Sequence, residues 1–339
     1  MKKIFLAVVA LAAMTACSND EFVSIDRAPI NFGEAFVDNA TRAADLTYGG
    51  GTTQLTEFSV YGTVKGKGVA NPVNIFSGNK VTGTVGYNDD DEDGVKTPNI
   101  WTCSKTEYWV PGAAYKFVAV KDHYGVSALQ TNYGMPTTID YNTQVHPTAG
   151  RQMDLIYAAT EVAEAAADQG PVNFTFEHLL SKVQFTVTSN ATGSYSHSVT
   201  GIKVKNFATG TYDIAGETWG EATPQTDILF GNIEGVTAAS KENIGTPEEI
   251  NGKTNATQML LIPTTQAFVV SFDVEVYRQN GENKTLVSTE HKDINVTNDL
   301  VKGHAYNFTI DCKLNSAIKF SVNNNPTWVD GNIGGVTVQ

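Results

Sequence analysis

Almost from end to end, the 339-residue chain is broken into short runs of β-branched and aromatic residues separated by Gly, Pro, Asn and Asp. Such runs occur at Thr56 to Val64, Tyr115 to Val120, Leu155 to Ala159, Val172 to Phe176, Val183 to Thr188 and Ile202 to Val204. They continue at Gln258 to Ile262, Phe268 to Tyr277, Ala305 to Ile310, Ile318 to Val322 and Val336 to Val338. Successive side chains in a strand point to opposite faces, so a run such as Phe174-Thr175-Phe176 offers one apolar face to a core. Many short strands with turn signals between them predict an all-β chain of sandwiches. Only 17% of the residues are charged, which favours strands and turns over amphipathic helices. Two segments read as helical: Glu161 to Asp168, rich in Ala and Glu, and a turn at His178-Leu179-Leu180-Ser181. The length exceeds a typical domain of about 100–200 residues, so two domains are expected, 43–170 and 171–339, divided at Asp168-Gln169-Gly170-Pro171.

The N-terminus has a different character. Lys2 and Lys3 precede an apolar run from Ile4 to Ala13, followed by Met14-Thr15-Ala16-Cys17. The run is about half the roughly 20 residues needed to span a bilayer, and it stops at small residues before a cysteine. This reads as a bacterial lipoprotein signal, residues 1–16, with Cys17 as the lipid-carrying mature N-terminus. Acyl chains contribute about 0.8 kcal/mol per buried methylene, enough to anchor the chain in the outer membrane without a transmembrane helix. Beyond Cys17 a polar, acidic tether leads to one short strand in which Ile30 and Phe32 alternate with polar neighbours, followed by the polar connector Asp38 to Asp45.

The net charge of −13 argues against nucleic acid, whose phosphates need clustered Lys and Arg. Catalytic and metal motifs are equally scarce. The six histidines, His123, His146, His178, His197, His291 and His304, have no ligand spacing, and the chain lacks HExxH, CxxC, a nucleophile elbow and a phosphate-binding Gly-rich loop. His178, between Phe176 and Leu179-Leu180, reads as a hydrogen-bonded structural histidine. Asp89, Asp91 and Asp93 with Gly94 match the start of a calcium loop, but the twelfth position is Ile100 instead of Glu, so a solvated acidic loop is the better reading. Tyr87, Trp101, Tyr108, Trp109, Tyr124 and Tyr133 have two readings, a sugar-stacking face or ordinary core and hairpin residues. Cys103 and Cys312 read as small buried hydrophobes more readily than as a disulfide. No cofactor and no enzymatic activity are expected.

Two segments, Met153-Asp154-Leu155-Ile156-Tyr157-Ala158 and Phe174-Thr175-Phe176-Glu177-His178-Leu179-Leu180-Ser181-Lys182-Val183-Gln184-Phe185, resemble the fimbrillin family of Bacteroides-type bacteria. Ala40-Thr41-Arg42-Ala43, Met259-Leu260-Leu261-Ile262-Pro263 and Leu300-Val301-Lys302-Gly303-His304-Ala305-Tyr306-Asn307-Phe308 agree with it. The resemblance implies two transthyretin-like β-sandwich domains in tandem and export as a lipoprotein. It also implies cleavage by an arginine-specific protease, which makes residues 17–42 a propeptide, and assembly with other pilin subunits into an adhesive surface pilus, with a receptor on a host or bacterial surface as a further partner.

The residues supply a mechanism that fits. Cutting Arg42-Ala43 would free a plug strand carrying Ile30 and Phe32 and leave a groove with unpaired backbone groups, which a strand of another subunit can fill. Arg27, the only other arginine before residue 151, lies upstream of the plug. Losing residues 1–42 removes four basic and five acidic residues, so the charge scarcely moves from −13. The expected donor is the tail from about residue 315, where Ile318, Phe320 and Val322 share one face and Val336 and Val338 repeat the pattern after Gly334-Gly335. Two ordinary final strands of the second domain are the other reading of this tail. The connector and the tail favour a shaft subunit; a tip, an anchor, or a non-polymerising lipoprotein that binds glycans are the alternatives.

Overall fold

The computed structural model describes residues 27–37, 44–47, 51–84, 100–121, 126–142, 154–220, 225–238, 243–244, 258–325 and 336–338. The described residues are all β and turn, and none of their segments is a helix long and apolar enough to cross a membrane. The first strands are β1 (Phe32–Val37), β2 (Ala44–Thr47), β3 (Gly51–Gln54), β4 (Glu57–Lys65), β5 (Val73–Thr84) and β6 (Ile100–Cys103). Next come β7 (Ala114–Lys121), β8 (Val126–Asn132), β9 (Met135–Asn142), β10 (Ile156–Val162) and β11 (Val172–His178). Beyond a short turn lie β12 (Ser181–Ser189), β13 (Tyr195–Phe207), β14 (Thr209–Asp213), β15 (Thr218–Trp219), β16 (Gln225–Val236) and β17 (Asn243–Ile244). The last are β18 (Gln258–Leu261), β19 (Phe268–Asn280), β20 (Asn283–Val296), β21 (Ala305–Cys312), β22 (Lys319–Asn325) and β23 (Val336–Val338).

Seven strands close a barrel in the order β1-β11-β10-β7-β4-β5-β6. Its interior is unusually aromatic, with Phe32, Phe58, Phe76, Phe117, Phe174 and Phe176 in one cluster. Gly62 makes room for them, since a Cβ there would come within 2.9 Å of Phe76 and 3.0 Å of Phe117. Strand β7 shows how the wall is built: Tyr115, Phe117 and Ala119 point into the barrel, whereas Val118 and Val120 point outward into a second apolar layer. A strand buried on both faces loses the apolar–polar alternation that marks a half-exposed one.

The second half is a sandwich. One sheet runs β17-β12-β21-β22-β23, with β18 also paired to β12, and the other runs β16-β13-β19-β20. Val183, Phe185, Phe230, Phe272, Phe308 and Ile310 interdigitate between them. Between barrel and sandwich lies a third sheet, β15-β14-β9-β8, to which each half of the chain contributes two strands. Its Ile139, Tyr141 and Tyr212 cover the outer barrel wall at Val118, Val120 and Tyr157 together with Leu179, Leu180, Leu260 and Ile262.

Two expectations about organisation meet the structure here. Glu161 to Asp168 is not a helix. Glu161 and Val162 complete the β10–β7 ladder opposite Lys116 and Tyr115, and Ala165 bonds back to Gly112 and Ala113, so tertiary pairing overrides the helical preference of Ala and Glu. Beyond the expected division at residue 170, β11 still belongs to the barrel, where Val172, Phe174 and Phe176 fill the interior. The chain enters the sandwich after Leu179-Leu180.

Candidate assembly seam

The plug residues come together where the barrel closes. Segment 28–31 is held to the stretch before β7 by two backbone bonds, Ile30 N–H to Glu107 O at 2.8 Å and Trp109 N–H to Ala28 O at 3.0 Å. Strand β1 then runs parallel to β11, with Phe32 opposite Val172, Ala35 opposite Phe174 and Val37 opposite Phe176. The register shifts between Phe32 and Ala35. On its other side β1 meets β6 through a single pair, Phe32 and Trp101. Ile30 is 3% exposed and Phe32 5%. The Phe32 ring lies 5.7–6.5 Å from those of Phe58, Phe76, Phe117 and Phe174. Burial of one such side chain contributes about 1.5–3 kcal/mol, so the segment is held by apolar contact more than by its short and interrupted pairing.

At the other end of the chain, β22 pairs along its whole length with β21, and the three residues of β23 pair Val338 with Phe320 and Val336 with Val322. Phe320 packs 5.6 Å from Phe308 and 6.3 Å from Phe272, Val322 is buried beside it, and Ile318 is partly buried against the same cluster. In this state the tail therefore forms the final strands of its own sandwich.

The end of β11 and the entrance to β21 meet at the junction that carries the Leu300 to Phe308 motif. Lys302 Nζ donates to Glu177 Oε2 at 3.0 Å and to the Tyr212 hydroxyl at 3.1 Å, with Glu217 at 3.8 Å. Burial works against the Lys302 charge, but the bonds to Tyr212 and Glu177 prevail and hold its pKa above the ordinary lysine value. Gly303 N–H donates to Leu180 O, Lys182 N–H to His304 O, the Ser181 hydroxyl to Val301 O, and the Trp219 indole to Leu179 O at 2.7 Å. Sequence reading missed this junction and the phenylalanine cage. The aromatic alternation of β7 at Tyr115 and Phe117 and of β11 at Phe174 and Phe176 was the available signal for the cage.

The remaining candidates are dispersed. Cys17, Arg42 and Ala43, the acidic residues Asp89, Asp91 and Asp93, and Tyr87, Tyr124, His123 and His146 lie outside the described residues. No group of three metal-binding side chains occurs among the described residues. Trp101 and Trp109 are buried in the barrel core, while Tyr108 and Tyr133 are about half exposed, so the described aromatics do not share one open face. His178 donates from Nδ1 to the buried carboxylate of Asp154. Cys103 and Cys312 are both free thiols and belong to the barrel and the sandwich respectively.

These features define an all-β protein in which a closed barrel and a sandwich share an intervening sheet, with the barrel completed by a strand from near the N-terminus. The Fimbrillin-like family model matches residues 41–326, and the chain belongs to that family. No curated protein matches the chain. Among solved structures, a fimbrial protein from Bacteroides vulgatus is similar at 13% identity and TM-score 0.56, with 80% of this chain and 93% of that one covered. A proposed cell adhesion protein from Bacteroides uniformis is similar at 15% identity and TM-score 0.52, covering 89% and 99%. At these identities the likeness is one of fold.

Proposed function

We propose that the protein is a structural subunit of an adhesive surface pilus, without catalytic activity. It is exported as a lipoprotein anchored through Cys17, activated by cleavage after Arg42, and polymerised by strand exchange. The observation that carries this reading is the position of the segment from Ile30 to the end of β1: it fills the barrel with Ile30 and Phe32, ends at Val37, and is followed by an arginine at position 42. Cleavage there leaves β1 tied to the rest of the chain by noncovalent contacts alone. The tail offers a matching replacement, because Ile318-Lys319-Phe320 repeats the Ile-x-Phe spacing of Ile30-Asn31-Phe32. To act as donor it leaves β21, beginning with the short strand carrying Val336 and Val338, and adds to the vacated position of a neighbour. On this reading the barrel and the sandwich are two transthyretin-like domains, and the partners are other pilin subunits, an arginine-specific protease, the outer membrane and a surface receptor.

The test is intact-mass analysis and an unheated denaturing gel on a chain starting at Ser18, before and after an arginine-specific protease. A fragment beginning at Ala43 and a ladder of stable oligomers is the expected result. Resistance at Arg42, or a cut and folded protein that stays monomeric, overturns the shaft assignment.

A further inference from the structure

Strand β11 depends on β1 more than the closed barrel suggests. Its ladder with β10 comprises Ile156 with His178 and Tyr157 with Glu177, extended by Leu179 N–H to Leu155 O at 2.9 Å, and pairs no residue from Val172 to Phe176. From Val172 to Phe176 the ladder partner of β11 among the described strands is β1. Phe174, in the middle of this stretch, stacks on Phe32 at 6.0 Å. Vacating the β1 position therefore removes a ladder and an aromatic neighbour from a segment that has no second ladder partner among the described strands. The end of the same strand carries Glu177, which holds Lys302 at the entrance to β21, and Gly303 N–H bonds to Leu180 just beyond β11.

We infer that β1 and β11 form one conformational unit, so that emptying the β1 position releases Val172–Phe176 and, through Glu177 and Lys302, loosens the entrance to β21. A strand entering that position restores both. Occupancy of a single strand position thereby sets the order of β11 and of the β21 entrance, while the β9–β14 ladder keeps barrel and sandwich together. The bistable element is the β1–β11 ladder, and the Glu177–Lys302 contact is its connection to the sandwich. This rests on the proposed release of β1 and is independent of which strand replaces it.

Amide hydrogen exchange on the chain starting at Ser18, intact and after cleavage between β1 and β2, tests it. With the plug peptide gone, residues 172–177 and the Gly303 amide are expected to exchange at least tenfold faster, while 57–65 and 114–121 keep their protection. Adding the plug peptide, residues 27–42, restores the intact pattern. Retained protection at 172–176 in plug-free protein isolated as monomer, where no strand fills the β1 position, or equal loss throughout the barrel, overturns the inference. If the cut peptide stays bound, the same comparison is made on uncut Phe32→Asp, with protection at 305–312 reporting that the sandwich is folded. In Lys302→Met the Gly303 amide is expected to exchange equally fast with and without the plug; a persisting tenfold response rules out the Lys302 connection. A cleaved protein that shows the exchange pattern but forms no oligomers refutes strand exchange and leaves this inference standing.

Discussion

The ring of Phe32 lies 6.0 Å from that of Phe174 and only 15° from parallel, although the two residues come from strands on either side of most of the barrel sequence. This stack joins the N-terminal segment to the strand leading into the sandwich, and the other rings of the cage surround it.

Truncating that side chain probes the seam directly. Removing a buried phenylalanine costs about 3–5 kcal/mol, so Phe32→Ala is expected to lower the urea midpoint of the barrel transition by a corresponding amount. An exposed control, Tyr108→Ala, is expected to fall within about 0.5 kcal/mol of the parent. A loss at Phe32 no larger than the control's would show that the cage does not hold the plug.

Gly303 sits at φ +72°, between the loop and the start of β21. A Cβ there would lie 3.6 Å from His178 O, an ordinary contact, so the constraint is the left-handed backbone itself. Gly303→Ala is expected to destabilise by about 1–2 kcal/mol and Gly303→Asn by less, because Asn visits this region more readily. Thermal unfolding of the two variants side by side distinguishes a conformational effect from a steric one.

His291 on β20 donates from Nδ1 to Asp273 at 2.6 Å, with Nε2 3.4 Å from Asp293, which also accepts a 2.5 Å bond from Ser271. The bond to Asp273, together with the charges of both aspartates, raises the His291 pKa. The Ser271 bond, aided by His291, lowers that of Asp293. Stability from the raised histidine is complete below its unfolded value of about 6.5 and fades as pH rises through the folded pKa; that from Asp293 is lost as pH falls through its depressed one. His291→Asn is therefore expected to lower the melting temperature at pH 5.5 and to match the parent at pH 9. An equal deficit at both pH values would assign the effect to neutral contacts.

Both thiols are expected to titrate as free cysteines under native oxidising conditions. Burial raises the pKa of each, with Cys312 pushed up to about 12. Cys103, only half-buried, should react slowly with a maleimide in the folded protein, and Cys312 only after unfolding. A single disulfide-linked mass would contradict the assignment of the two to separate cores.

Much of the strand content was legible because alternation is local. Phe58 and Val60 on β4, Val183, Phe185 and Val187 on β12, and Phe308 and Ile310 on β21 each mark a buried face within a few residues. Strand β20 was not legible: Asn283 to Val296 is exposed along almost its whole length, so no core imposes a period on its sequence, and its place is set by the ladder to β19. The helix expected at Glu161 failed for the complementary reason, since β7 offered that segment a ladder that its composition does not advertise.

The plug shows the same division. That Ile30 and Phe32 lie on one face of an extended segment follows from the sequence, because side chains alternate along any strand. The absence of metal, nucleotide and hydrolase motifs, and the resemblance to fimbrillins, also come from residues read in order. That β1 runs parallel to a strand some 140 residues away, that four phenylalanines meet around it, and that Phe320 occupies its own sandwich were decided only by the tertiary structure. Alternation determines which face is apolar but not which partner covers it. Pairing between distant strands depends on closing long loops and filling a shared core, and many local sequences satisfy it equally well until the whole chain has folded.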